Sequence, residues 1–254
     1  MEIARARLKA AMKEPGCALC RLRREAERRY FSQILFGQVN DGGLRLRLAR
    51  SLGFCPKHTW DLLQADLASE PPALGFAILH AALAKLLCET LNDWLRGAGS
   101  AENAPTSERR ARRHPLAEGI ARLLAERDSS PVQERLMASL SPAAACPACE
   151  SADASELVYV RALVRDLAPT DLGAAYDASG GLCLNHLQQA LACAQDDETT
   201  MLLTRQAAAS LARLVSDLEA YLDRLAQPGE PRPTTDPIMA RAAAFFAGEG
   251  PDSG

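Results

Sequence analysis

Apolar residues recur at three- and four-residue spacing along most of the chain, and no segment keeps the alternating pattern of a β-strand. Aromatic residues are few (5%), whereas Ala and Leu are abundant, which also favours helices. The spacing predicts helices over 2–13, 21–36, 44–52, 56–68, 73–96, 115–127, from about 131, 154–166, 170–178, 184–195, 198–226 and 237–247. We therefore expect an all-α fold.

Proline and glycine mark the ends of the predicted helices. Pro15-Gly16 follows the first helix, and Gly53 stops the helix over 44–52. Pro56 suits the first position of the next helix, because its missing N–H has no intrahelical partner there. The inward-facing candidates of the helix over 21–36 are Leu22, Tyr30, Ile34 and Leu35.

The sequence is internally duplicated. Residues 6–12 align with 134–140, and 81–89 align with 209–217 at the same offset of 128 residues. The predicted organisation is a helical module over 1–97, a linker with a connecting helix over 98–129, a second helical module over 130–226, and a Pro-rich tail with a short amphipathic helix over 227–254.

Each module carries a Cys-x-x-Cys pair and, more than thirty residues later, a Gly-x-Cys-x-x-His motif. The candidate metal ligands are Cys17, Cys20, Cys55 and His58 in the first module, and Cys146, Cys149, Cys183 and His186 in the second. Thiolates and imidazole are the ligands that zinc prefers in proteins. We expect the four residues of each module to form one closed Cys3His site, which is typical of structural rather than catalytic zinc.

Two other uses of these cysteines remain open. Three thiolates and one imidazole can also hold an iron–sulfur cluster, which would make the protein an electron carrier or a redox sensor. A Cys-x-x-Cys pair can be a redox dithiol, although that chemistry usually occurs beside a βαβ unit, and no strand is predicted here.

Charge is unevenly distributed along the chain. The net charge is only −3, but residues 1–60 hold 13 Lys or Arg and 5 Asp or Glu. This basic segment, with the arginines of the linker over 97–113, makes nucleic-acid binding an alternative function. Solvated helix faces, or attraction between the two halves, explain the same charges without a nucleic acid.

No targeting segment is evident in the sequence. The first seven residues lack the apolar stretch of a secretory signal, and the segment 73–87 is too short and too amphipathic for a membrane span. We expect a cytoplasmic protein without membrane contact, in which reduced thiols are available to metals.

The order of Cys-x-x-Cys, helix, Gly-Phe-Cys-x-x-His and long helix, followed by the same set again, resembles a bacterial family known only as a domain of unknown function. The resemblance implies two metal sites at the eight residues named above and no established activity. Members often end in a short helix followed by glycine, and Arg241, Ala242 and Gly248 are similar to that ending. Met239 stands where the family has tryptophan.

The sequence thus favours a metal-binding protein that acts by interaction or regulation, with a protein partner. It offers no motif that supports an enzyme.

Overall fold

The computed structural model describes residues 2–97, 131–168, 170–226 and 237–248. Within these ranges the regular structure is entirely helical, which confirms the expected all-α fold. The α-helices are α1 (Glu2–Ala11), α2 (Ala18–Gln33), α3 (Gly42–Ser51), α4 (Pro56–Leu67), α5 (Leu74–Gly97), α6 (Pro131–Ser139), α7 (Pro147–Asp166), α8 (Asp171–Asp177), α9 (Leu184–Cys193), α10 (Asp197–Ala226) and α11 (Pro237–Ala247). A π-helical turn, Ile34–Gln38, extends α2. The helix predicted over 115–127 lies outside the described residues.

Two helices begin earlier than the sequence pattern predicts. The first helical residue of α2 is Ala18, and that of α7 is Pro147. The amide of Arg21 donates to the carbonyl of Cys17 at 3.2 Å, which closes the first turn of α2. Each Cys-x-x-Cys pair therefore spans the start of a helix, with its first cysteine directly before the first helical residue.

The chain folds into two compact units. Unit 1 comprises Met1–Ala26 and Ala152–Gly254, and unit 2 comprises Glu27–Ser151. Each unit therefore takes residues from both halves of the sequence. Helices α2 and α7 each begin in one unit and end in the other.

The core of unit 1 is mostly aliphatic, and the buried Gln206 lies beside it. Leu8, Leu163, Leu172 and Leu203 are among its fully buried members. The side-chain amide of Gln206 on α10 donates to the carbonyls of Tyr176, Asp177 and Ser179 at 3.1, 3.2 and 3.1 Å. These bonds join α10 to the end of α8 and fix the loop that leads to α9.

Unit 2 has its own core and a polar contact that orients its longest helix. The buried members are Phe31, Ile34, Leu44, Leu48, Phe54, Leu62, Leu79, Cys146 and Ala148. Asp66 on α4 is buried, and its carboxylate accepts from the Phe76 amide at 2.7 Å. A carboxylate at the N-terminus of α5 satisfies a free helical amide and suits the helix dipole. This contact fixes where α5 starts against α4.

The apolar part of helix α5 is longer than the segment 73–87, which we predicted to be unsuited to a membrane span. By length and composition alone Leu74–Arg96 could cross a membrane, with a mean hydropathy of 1.6 and 11% of the most apolar stretch buried. A single helix of this kind is weak evidence for a span. Lys85 and Glu89 lie in its middle, where charged groups are costly in a bilayer. Leu79 instead packs into the core of unit 2.

The unit 1 core can be tested by truncating a side chain on α7. Leu163 is 0% exposed, so Leu163→Ala is expected to lower the free energy of unfolding by about 2–5 kcal/mol. Urea titration at a fixed zinc concentration measures this. Leu157→Ala, on the same helix at a residue that is 40% exposed, should cost less than about 1 kcal/mol. Equal losses from both substitutions would contradict the assigned core.

Candidate metal centres

The eight predicted ligands come together in two clusters, but not in the predicted groups. Site 1 consists of Cys17, Cys20, Cys183 and His186, and site 2 consists of Cys55, His58, Cys146 and Cys149. In each site the four ligand atoms lie within 4.8 Å of one another. The expectation that each sequence module closes its own site is therefore wrong. Each site joins a Cys-x-x-Cys pair from one half with a Cys-x-x-His pair from the other, inside one compact unit.

Each site is built where the N-termini of two helices meet. In site 1 these are α2 and α9, and in site 2 they are α4 and α7. Cys55 and Cys183 are the N-cap residues of α4 and α9, in matching extended conformations (φ −64°, ψ 165° and φ −69°, ψ 164°). Three residues later, one helical turn returns a histidine to the same side. The positive ends of both helix dipoles are thus directed towards the ligand atoms.

Glycine precedes each Cys-x-x-His pair because the chain must turn sharply there. Gly53 and Gly181 have φ of +101° and +82°, which side-chain-bearing residues rarely adopt. A Cβ on Gly181 would also lie 3.0 Å from the Ser210 hydroxyl oxygen. The amide of Gly53 donates to the Leu48 carbonyl at 2.8 Å and so closes the end of α3, as its sequence position predicts.

All four residues of site 1 are buried. His186 Nδ1 lies 3.4 Å from Cys17 Sγ, 3.3 Å from Cys20 Sγ and 3.1 Å from Cys183 Sγ. The sulfur atoms of Cys20 and Cys183 are 3.7 Å apart. The imidazole nitrogen and the three sulfur atoms thus face one common point.

Site 2 repeats this arrangement with more exposure. His58 Nδ1 lies 3.3 Å from Cys55 Sγ, 3.6 Å from Cys146 Sγ and 3.3 Å from Cys149 Sγ. The sulfur atoms of Cys55 and Cys149 are 3.8 Å apart. Cys55 and Cys149 are partly exposed, whereas His58 and Cys146 are buried.

The ligand spacing fits a single tetrahedral ion. Zinc–sulfur bonds of about 2.3 Å at tetrahedral angles place the sulfur atoms about 3.8 Å apart. The two sulfur–sulfur distances given above are 3.7 and 3.8 Å. Both clusters could therefore hold a metal ion.

A buried carboxylate contacts the far side of each histidine ring. Glu27 Oε1 lies 3.2 Å from His58 Nε2, and Glu156 Oε1 lies 3.1 Å from His186 Nε2, where the N–H direction is less well aligned. A metal-bound imidazole usually has such an acceptor, which fixes the ring and its tautomer. Sequence reasoning missed both glutamates. Each lies seven residues after the second cysteine of a pair, so the spacing contained the signal.

Each glutamate contacts the histidine of its own half of the sequence, unlike the cysteine pair at the start of the same helix. Helix α2 supplies cysteines to site 1 and Glu27 to site 2, whereas α7 supplies cysteines to site 2 and Glu156 to site 1. Each carboxylate also has a cation. Lys57 lies 2.7 Å from Glu27 and 2.8 Å from Asp61, and the Arg23 guanidinium bonds to Glu156.

Hydrogen bonding within each cluster favours charged imidazole when no ion is bound. Burial disfavours the imidazolium of His58, but hydrogen bonds with Cys146 and Glu27 outweigh burial and raise its pKa to about 10. Burial likewise opposes charge on His186, whereas contacts with Cys183 raise its pKa to about 11. An incoming cation must therefore displace protons from the cluster.

The carboxylates stay ionised beside these rings. Burial alone would raise the pKa of Glu27, but hydrogen bonds from His58 and Lys57 lower it to about 2. The pKa of Glu156 is also lowered to about 2, against burial, chiefly by its contact with His186. Both glutamates are thus held as acceptors for the imidazole N–H at neutral pH.

The residues His80, Cys88 and Cys193 lie outside both clusters. The Nδ1–H of His80 donates to the Phe76 carbonyl in its own helix at 2.8 Å, and the His80 ring stacks on the Phe76 ring. Cys88 is exposed, and Cys193 is half-buried. Several basic side chains of the first sixty residues form ion pairs within their unit, as Arg7 does with Glu25.

The exchanged grouping can be tested by counting zinc in paired variants. Cys20→Ser with Cys183→Ser alters one site only, so about one zinc ion per chain should remain. Cys20→Ser with Cys55→Ser alters both sites, so tight zinc binding should be lost. Grouping by sequence module predicts the reverse, and metal analysis after gel filtration distinguishes the two outcomes.

The glutamates can be tested without removing a ligand. Glu27→Gln and Glu156→Gln are each expected to weaken zinc binding at one site by about 10–100-fold, because the imidazole loses its charged acceptor. Competition with a chromophoric chelator measures this. Glu219→Gln, at an exposed residue of α10, is the control and should leave both affinities unchanged. Unchanged affinity in the Glu27 and Glu156 variants would contradict a supporting role.

Comparison with known protein families agrees with the resemblance that the motif order indicates. Neither the curated proteins nor the solved structures contain a match to this chain. A family model described as a family of unknown function (DUF6062) matches residues 2–227, which include all eight ligands and both glutamates. The chain therefore belongs to this family of unknown function.

Proposed function

We propose that the protein binds two zinc ions, one in each unit, and that these ions hold together a helical scaffold that contacts a protein partner. The observation that carries this proposal is the pair of Cys3His clusters, each with its histidine placed against a buried glutamate. Four protein ligands complete a tetrahedral zinc site and leave no position for water or substrate. This coordination supports a structural role.

The sulfur spacing favours one ion over an iron–sulfur cluster. In a four-iron cluster each ligand binds a different iron atom, so the ligands are spread around a larger body. The 3.7 and 3.8 Å sulfur contacts are those of ligands that share one ion. The mixed thiolate and imidazole set also suits zinc.

The location of the sites explains what the ions would do. Each joins the N-terminal turns of two helices that are distant in sequence, and structural zinc contributes on the order of 10 kcal/mol to folding. The scaffold role is supported by apolar surface on α5, where Leu91 and Leu95 are 41% and 78% exposed. Exposed apolar side chains in one region are typical of interaction surfaces.

The proposal predicts colourless protein with about two zinc ions per chain after anaerobic purification from iron-replete cells. Removal of zinc by a strong chelator should abolish the cooperative unfolding transition followed by circular dichroism, because the helix termini lose their common ligand. Readdition of zinc should restore it. Brown protein with stoichiometric iron, or an unchanged transition after complete chelation, would contradict the proposal.

A further inference from the structure

The two sites differ in how well their sulfur atoms are covered. In site 1 the cysteines are 5%, 9% and 2% exposed. In site 2 only one cysteine is buried, and Cys55 and Cys149 keep accessible surface. The ligand types and spacing are otherwise the same, so exposure is the property that distinguishes them.

Helix α11 accounts for part of the cover over site 1. A Cβ on Gly248, just after this helix, would lie 3.4 Å from Cys20 Sγ, so the glycine backbone lies directly against the sulfur. The helix is held in place by Ile238, which is 5% exposed, and by an ion pair of 2.8 Å between Arg241 and Asp217. A Cβ at 248 would be in van der Waals contact with the sulfur, although the φ of +80° disfavours a side chain there.

The exposed sulfur atoms of site 2 are also next to each other. Cys55 Sγ and Cys149 Sγ are 3.8 Å apart, so little movement separates them from a disulfide. Oxidant access to a thiolate depends on its exposure, and an adjacent thiolate can resolve the first oxidation product. Site 1 has a comparable pair, Cys20 and Cys183, at 3.7 Å, but both are buried.

We propose that Cys55 and Cys149 form an oxidation site for peroxides, so that site 2 releases its ion while site 1 retains its own. The inference rests on the proposed zinc binding.

The reaction balances with one peroxide. One thiolate attacks an oxygen of hydrogen peroxide, the O–O bond breaks, and with one proton a sulfenic acid and water form. The second thiolate attacks the sulfenic sulfur, the S–O bond breaks, and with another proton a disulfide and a second water form. Two electrons pass from the two sulfur atoms to the peroxide. The ion loses two ligands and is released.

The test treats the zinc-loaded full chain with hydrogen peroxide in the presence of a chromophoric zinc chelator. We expect about one zinc ion per chain in a fast phase, and release of the other about tenfold more slowly, because its thiolates are covered. Mass mapping of peptides after the fast phase should identify a disulfide between Cys55 and Cys149, with Cys20 and Cys183 still reduced.

Matched single-site variants assign the phases. Cys183→Ser keeps only site 2 intact and should release its zinc at the fast rate, whereas Cys55→Ser keeps only site 1 and should release it slowly. Ile238→Asp removes the apolar anchor of α11 and should speed release from site 1 alone. The peptide map of the unaltered chain gives the answer even if a variant does not fold.

The outcomes separate this inference from the proposed function. Fewer than about two zinc ions in the untreated chain would contradict the zinc scaffold itself. Two ions that leave at the same rate, earlier release from site 1, or no peroxide-induced release at all would overturn the oxidation site and leave the scaffold standing. An unchanged site 1 rate in Ile238→Asp would overturn the shielding by α11.

Discussion

The structure depends on the meeting of two helix N-termini at each cluster of three thiols and one imidazole. A helix N-terminus carries unpaired amides and a partial positive charge, which makes it a favourable place for a thiolate. Three thiolates in a buried space would repel one another without a cation. The electrostatics of the clusters therefore suit a cation at the point where the helix ends meet.

The arrangement around the histidines extends this constraint into the cores. Each ring has a sulfur-facing nitrogen and a glutamate-facing nitrogen, and each glutamate is itself paired with a cation. The chain of contacts runs from the sulfur atoms through His58 or His186 to a charged group near the surface. Such a chain fixes the ring orientation, because each ring nitrogen faces a defined group.

The exchange of half-sites gives the two clusters a role that contiguous modules would not. A site closed within one module would join segments that are already near in sequence. Site 1 instead joins α2 to α9, and site 2 joins α4 to α7, so each cluster connects segments from both halves of the chain. Closing such long loops is entropically costly, and a strong metal–ligand bond set offsets that cost.

The sequence alone determined the helical class, the eight residues of the two clusters and the glycines at 53 and 181, because each depends on residue type and short-range spacing. The same spacing held the glutamates seven residues beyond each cysteine pair, although that signal is visible only once the contacts to His58 and His186 are known. The tertiary structure alone decided which cysteine pair meets which histidine. A Cys-x-x-Cys pair has the same chemistry beside either Cys-x-x-His pair. The grouping therefore depends on how the helices α2, α4, α7 and α9 pack, which short-range spacing does not determine. The cover that α11 provides over Cys20 was decided in the same way, by contacts between segments more than two hundred residues apart.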